Sequence, residues 1–270
     1  MPAPAPRASA DQLKAAHEVY RDALERLAGS GAPFLVGGAY AFARYTGIER
    51  HTKDFDIFAK PDDVERLLEV LRAAGFRTER TFRHWLAKAY RGEDLIDVIY
   101  SSGNGVARVD DSWFEHAVDG QVLGRAVKLV GAEEIIWSKS FIMERERFDG
   151  ADVAHLLLAS SDTLDWSHLI ARFGAYWRVL FGHLVLFGFI YPSERRRIPG
   201  WVLEEFGERL AAEARTAPSA ERVCQGTLLS RAQDLPDVER RGFEDVRVFP
   251  RGHMSEEDTA AWTAAIGHDD

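Results

Sequence analysis

The stretch Lys53-Asp-Phe-Asp-Ile-Phe-Ala59 constrains the fold more than any other part of this chain. Its polar and apolar residues alternate with period two, the pattern of a half-buried β-strand, so Phe55 and Ile57 face a core while Asp54 and Asp56 share the opposite face. Two carboxylates at i, i+2 on one strand repel each other. Such a pair persists where a cation lies beside it, and hard oxygen donors favour Mg²⁺ or Mn²⁺. The expected ligand is a metal-bound phosphate.

Upstream, Pro33-Phe-Leu-Val36 is a short apolar run entering Gly37-Gly38, and Ala39 to Tyr45 then resumes helical composition. A strand, a glycine turn and a helix are predicted, with the backbone at Gly37 and Gly38 open to a triphosphate whose charge the helix N-terminus favours. Downstream, Leu95 to Tyr100 is a β-rich run with one acid, Asp97, at its centre. An isolated carboxylate among Leu95, Ile96, Val98 and Ile99 is costly without a cation partner. Asp54, Asp56 and Asp97 together can hold two divalent ions about 3.5 to 4 Å apart, the spacing used in phosphoryl transfer. In this reading Asp54 and Asp56 bridge both ions, while Asp97 binds one and accepts the proton of an acceptor hydroxyl.

The pattern of Gly37-Gly38, then Thr52-Lys53-Asp54-Phe55-Asp56, then a strand carrying Asp97 resembles the nucleotidyltransferase superfamily of the DNA polymerase β type. It is most similar to the minimal bacterial members, to the aminoglycoside and lincosamide nucleotidyltransferases, and to nucleotidyltransferase toxins. Those enzymes pair a Gly-Gly turn with an Arg-x(1-2)-Asp-x-Asp strand, and Arg50 to Asp56 is similar with one or two extra residues. Further on, Lys139, Arg145, Asp149 and Asp152 resemble the helical Lys and Arg…Asp-x-x-Asp motifs of the toxins. The resemblance implies catalytic and metal-binding roles for Asp54, Asp56 and Asp97, nucleotide contacts at Gly37, Gly38, Thr52, Lys53 and Lys139, and a site-ordering role for Asp152. Ala39 departs from the family, where a Ser often follows the glycine pair, which leaves the phosphate contact to backbone N–H groups. Asp149, taken by itself, reads as a cap of the helix after Gly150.

The resemblance implies an α/β (α+β) fold, a nucleotidyltransferase-like mixed sheet flanked by helices and followed by a helical C-terminal part. The expected division is a Pro/Ala-rich tail over 1–10, the sheet domain over 11–131 and a mainly helical domain over 132–270. Helices are predicted at Asp11–Ala28, Pro61–Ala74, Ala132–Glu146, Asp152–Ala159, Trp166–Phe173, Tyr176–Phe189 and Trp201–Ala214. Strands are predicted at Phe76–Thr81 and His84–Tyr90, with a hairpin over Val122–Val130 turning at Gly124. Residues 219–252 carry no firm pattern. The apolar run from Val179 to Tyr191 is shorter than the roughly 20 residues that span a bilayer and reads as a buried helix. His84 and Lys88 share a strand face and read as surface polar positions as readily as substrate contacts.

A net charge of −9 argues against bulk attraction to nucleic acid or an anionic membrane, and the single cysteine, Cys224, excludes an internal disulfide. The N-terminus lacks the apolar segment of a secretory signal, which sets the expectation of a cytoplasmic location. The functional expectation is transfer of a nucleoside monophosphate from an NTP, ATP foremost, to a hydroxyl acceptor with release of pyrophosphate. Among acceptors, small molecules and proteins stand ahead of RNA. The alternative is a non-catalytic nucleotide-binding or toxin-antitoxin partner protein that keeps the fold.

Overall fold

The computed structural model describes residues 10–265 apart from His51 and Lys53, with side chains from Lys14 onward. The tail expected over 1–10 lies, but for Ala10, outside these residues, as does Lys53. The elements run α1 (Ala10–Ser30), β1 (Leu35–Val36), α2 (Gly38–Thr46), β2 (Asp54–Phe58), α3 (Val64–Ala73), β3 (Arg77–Phe82), β4 (Leu86–Arg91), β5 (Asp94–Ile99), α4 (Asp111–Glu115), β6 (Val118–Val122) and β7 (Arg125–Leu129). The second half follows with α5 (Ala132–Ser140), α6 (Gly150–Ser160), α7 (Trp166–Phe173), α8 (Trp177–Ile190), α9 (Gly200–Glu213), β8 (Val223–Cys224), α10 (Leu235–Arg241), β9 (Glu244–Asp245) and α11 (Glu256–Ala264).

Among the described residues, seven strands form one mixed sheet in the order β3-β4-β5-β2-β1-β7-β6. Its centre is the parallel pair β2 and β5, in register Phe55↔Ile96, Asp56↔Asp97 and Ile57↔Val98. Antiparallel β4 continues the rows, with Lys88 opposite Asp97 and Ala87 opposite Val98. One face of these strands is therefore apolar, and Phe55, Ile57, Ala87, Ala89, Ile96 and Val98 are all buried there. Tyr20 of α1 stacks on Phe55 with ring centroids 5.1 Å apart, and Tyr40 of α2 tilts against it at 5.2 Å. Burying each such large apolar side chain contributes on the order of 1.5–3 kcal/mol, which is what holds the acidic strand in place.

The second half is helical, as its composition predicts, and its hydrophobic core is continuous with that of the sheet. Helix α5 ends at Ser140, six residues before the predicted end at Glu146. Residues 141–149 instead form a loop closed by a Met143↔Phe148 bridge and by Asp149 N donating to Ile142 O at 3.1 Å. Tertiary pairing takes those backbone groups, and Met143 N is held by Leu229 O at 3.0 Å. Helix α8 also differs from the buried helix expected. It buries Trp177, Leu180, His183, Leu184 and Phe187 but exposes Val185, Leu186, Ile190 and, at 80%, Phe189. With α7 and the 3-10 turn at Gly174–Tyr176 it forms a 25-residue run, Trp166–Ile190, long and apolar enough by composition to cross a membrane, with 33% of its most apolar window buried.

The C-terminal segment, from the patternless residues 219–252 through α11, folds back on the sheet side. Trp262 of α11 packs edge-on against Phe82 and Trp85, each at 5.1 Å, and Asn104 Nδ2 donates to Leu228 O at 2.7 Å. Phe55, at 1% exposure, ties the acidic strand to α1 and α2. Phe55→Ala is expected to cost about 3–5 kcal/mol of folding stability, measured as a loss in denaturant midpoint at constant m-value.

Candidate active site

The period-two face of β2 and the register of its neighbours bring together the three acids singled out by the sequence. Asp54, Asp56 and Asp97 each offer a carboxylate oxygen within 4.8 Å of the other two. Burial pushes the Asp56 carboxyl up to about 7, and the charges of Asp54 and Asp97 push in the same direction. Burial likewise raises Asp97 to about 6, against the lowering effect of the Lys88 ammonium. Lys88 Nζ lies 3.2 Å from Asp97 Oδ1, which is buried and makes no aligned hydrogen bond among the described residues. A compact, oxygen-only set of three carboxylates fits a hard divalent cation such as Mg²⁺ or Mn²⁺.

The glycine pair is required by close approach. Gly37 N donates to Asp56 O at 3.0 Å, which locks the turn onto the acidic strand. A Cβ at position 38 would fall 1.7 Å from Asp56 Oδ2, and Gly38 has φ +54°, so no side chain is accommodated there. A Cβ at position 37 would run into the Phe58 ring at 2.2 Å. The N-terminus of α2 thus lies directly beside Asp56, and its first-turn N–H groups lack intrahelical acceptors. Thr52 bonds to Asp54, its hydroxyl meeting Oδ1 and also the backbone O at 3.1 Å, so it orders the first carboxylate.

A second group of charges adjoins the acids. Lys139 of α5 pairs with Asp149 at 2.6 Å and Asp152 at 2.9 Å. Arg50 forks onto Asp152, with Nη1 at 2.9 Å from Oδ2, and Arg147 forks onto Asp149 with two contacts of 2.9 Å. Burial alone would raise both carboxyls, but these cations hold Asp149 and Asp152 below the usual carboxylate range. The group joins the loop before β2, α5, the 141–149 loop and α6, and the charges of Lys139 and Arg147 reach Asp56.

The structure corrects three expectations. Among the described residues Arg145, which is exposed, pairs with Glu146 at 3.4 Å, and the arginine that meets Asp149 is Arg147. Asp149 occupies the N-cap position of α6 but makes no side-chain cap bond, because its carboxylate is taken by Lys139 and Arg147. His84 precedes β4 and bonds to Gly103 O at 2.9 Å rather than sharing a strand face with Lys88. Lys88 is the residue that sequence reasoning undervalued. Its signal was its place opposite Asp97, which depends on the β4–β5 register.

Solved structures with a related architecture include three at low identity. They are the antibiotic-resistance factor ANT(2")-Ia in complex with adenylyl-2"-tobramycin (17% identity, 61% of this chain and 98% of that one, TM-score 0.43), the lincosamide antibiotic adenylyltransferase LnuA bound to lincomycin (12%, 52% and 94%, 0.38), and JHP933 from Helicobacter pylori (12%, 77% and 100%, 0.38). No curated protein sequence matches the chain significantly. A family model described as "Uncharacterised nucleotidyltransferase" matches residues 6–177, which takes in the glycine turn, all three acids, Lys139 and Asp152. The chain belongs to this nucleotidyltransferase family.

Proposed function

We propose that the protein is a divalent-metal-dependent enzyme that moves a nucleoside monophosphate from an NTP, with ATP the expected donor, to a hydroxyl group of a small-molecule or protein acceptor, releasing pyrophosphate. The observation that carries this reading is the Asp54, Asp56 and Asp97 cluster beside the Gly37–Gly38 turn. The antibiotic adenylyltransferases among the structural relatives act on small hydroxyl-bearing molecules, which accords with that acceptor class.

Asp54, Asp56 and Asp97 would hold the cation, which when bound supplies Lewis-acid stabilisation of charge on the transferring phosphoryl oxygens. The α2 N-terminus receives the triphosphate through backbone N–H groups, without help from a hydroxyl at Ala39. Lys139 spends two of its three N–H donors on Asp149 and Asp152, and the third is available to a phosphate oxygen. Asp97, whose carboxyl burial raises in the metal-free protein, takes the proton of the acceptor hydroxyl in this reading. Lys88 moderates that rise and so keeps the carboxylate ionised at neutral pH. Thr52 fixes Asp54, while Arg50 and Arg147 fix the carboxylates that position Lys139.

Asp54→Asn, Asp56→Asn and Asp97→Asn are each expected to lower label transfer from α-labelled NTP in cell extract with Mg²⁺ or Mn²⁺ by at least about 10³-fold, since each removes transition-state charge stabilisation worth several kcal/mol. Transfer unchanged in Asp97→Asn would overturn its assignment. Lys139→Ala is expected to weaken NTP binding by about 10- to 100-fold, the worth of a hydrogen bond to a charged group, with little change in Mn²⁺ affinity. Equal NTP affinity in the two proteins, by calorimetry, would reject the phosphate contact. Gly38→Ala should displace Asp56 and cost about 1–3 kcal/mol through its left-handed backbone alone, read as a lower melting temperature together with weaker Mn²⁺ binding.

A further inference from the structure

On another face of α5 from Lys139 stands a different cluster. Glu134 is completely buried, and around it gather His116, just past the end of α4, and His168 of α7. One ligand atom from each of His116, Glu134 and His168 lies within 4.8 Å of the others. The imidazole rings are stacked, with centroids 3.7 Å apart and planes 6° from parallel.

Three features distinguish this cluster from an ordinary ion pair. First, Glu134 Oε1 bonds His168 Nε2 at 2.7 Å and has Arg172 Nε at 3.4 Å, yet Oε2 is buried with no hydrogen-bond partner among the described residues. Leaving a charged oxygen so exposed to a low dielectric is costly unless something binds it. Second, His116 Nδ1 lies 2.9 Å from Ser112 O, which places the proton on Nδ1 and leaves the Nε2 lone pair free. Donation of the second ring nitrogen to a backbone carbonyl is the arrangement that orients histidine ligands in metal sites. Third, Gly131 lets Oε2 sit close against the backbone, for a Cβ there would lie 2.7 Å from that oxygen and 2.9 Å from His116 O.

Arg172 does not fill the gap, because its guanidinium forks onto Asp110 at 2.7 and 2.8 Å and stacks on Trp137. We infer that His116, Glu134 and His168 form a second metal site, selective for Zn²⁺, that ties the end of α4 and α7 to the N-terminal turn of α5. Two imidazoles and one carboxylate suit zinc rather than magnesium, and three protein ligands leave a fourth position for water. Binding requires the rings to splay, with His168 exchanging its bond to Glu134 Oε1 for the cation. Oε1 then keeps Arg172, and Oε2 gains the partner it lacks. This site is independent of the carboxylate triad and of the reaction proposed for it.

The test is Zn²⁺ titration of the full-length, EDTA-stripped protein by calorimetry in excess Mg²⁺, which occupies the hard carboxylate site and competes poorly for imidazole. One zinc per chain is expected, retained in the Asp54→Asn/Asp56→Asn/Asp97→Asn variant and weakened by about 10-fold or more in His116→Gln and in His168→Gln. Zinc binding abolished in the aspartate variant, or unchanged in both histidine variants, would overturn the assignment. Should a histidine variant not fold, Co²⁺ added to wild type in excess Mg²⁺ still decides the matter. Strong visible absorption of four-coordinate cobalt is expected, and the weak bands of a six-coordinate ion would overturn it.

Discussion

Everything at the proposed catalytic centre depends on one alignment, the parallel pairing of β2 with β5 in which Asp56 stands opposite Asp97. Side chains alternate across a sheet, so a slip of one residue in either strand would turn its acids into the core and its core residues out. Phe55 and Ile57 against Ile96 and Val98 forbid that slip, because all four are at or near zero exposure. The apolar face sets the register, and the register assembles the acidic face. Antiparallel β4 extends the same row with Lys88, a cation supplied at the position where the most buried of the three acids needs one.

That concentration of charge is costly, and its cost is visible in the raised carboxyls of Asp56 and Asp97. Under the proposed function a bound cation offsets that cost. The glycine turn brings helix α2 against Asp56, while Lys139, Arg50 and Arg147 are held nearby by Asp149 and Asp152. Helix α5 serves both halves of this design. One face carries Lys139 to the reactive group, and another carries Glu134 into the histidine pair.

Much of this was legible in the sequence wherever local rules govern. Helix α7 falls on its predicted bounds, and β2 carries its predicted alternation, because each is set by periodicity and by nearby capping or turn residues. Helix α5 was read too long because the sequence of 141–146 is compatible with helix, and only the loop's pairing with Leu229 and Phe148 takes its backbone away. Arg145 and Arg147 are two residues apart in a run of alternating charge, and nothing local tells which one meets Asp149. The His116, Glu134 and His168 cluster was invisible for the same reason, since its members come from three elements separated by up to 52 positions.

The sequence by itself determined the acidic strand, the glycine turn and the resemblance to nucleotidyltransferases, since these rest on short-range spacing and on steric limits that act within a few residues. Only the tertiary structure decided which side chains pair across elements. Lys88 with Asp97, Arg147 with Asp149, Arg50 with Asp152 and Glu134 with His168 are each fixed by strand register or helix packing, and by where a buried charge finds its counter-charge.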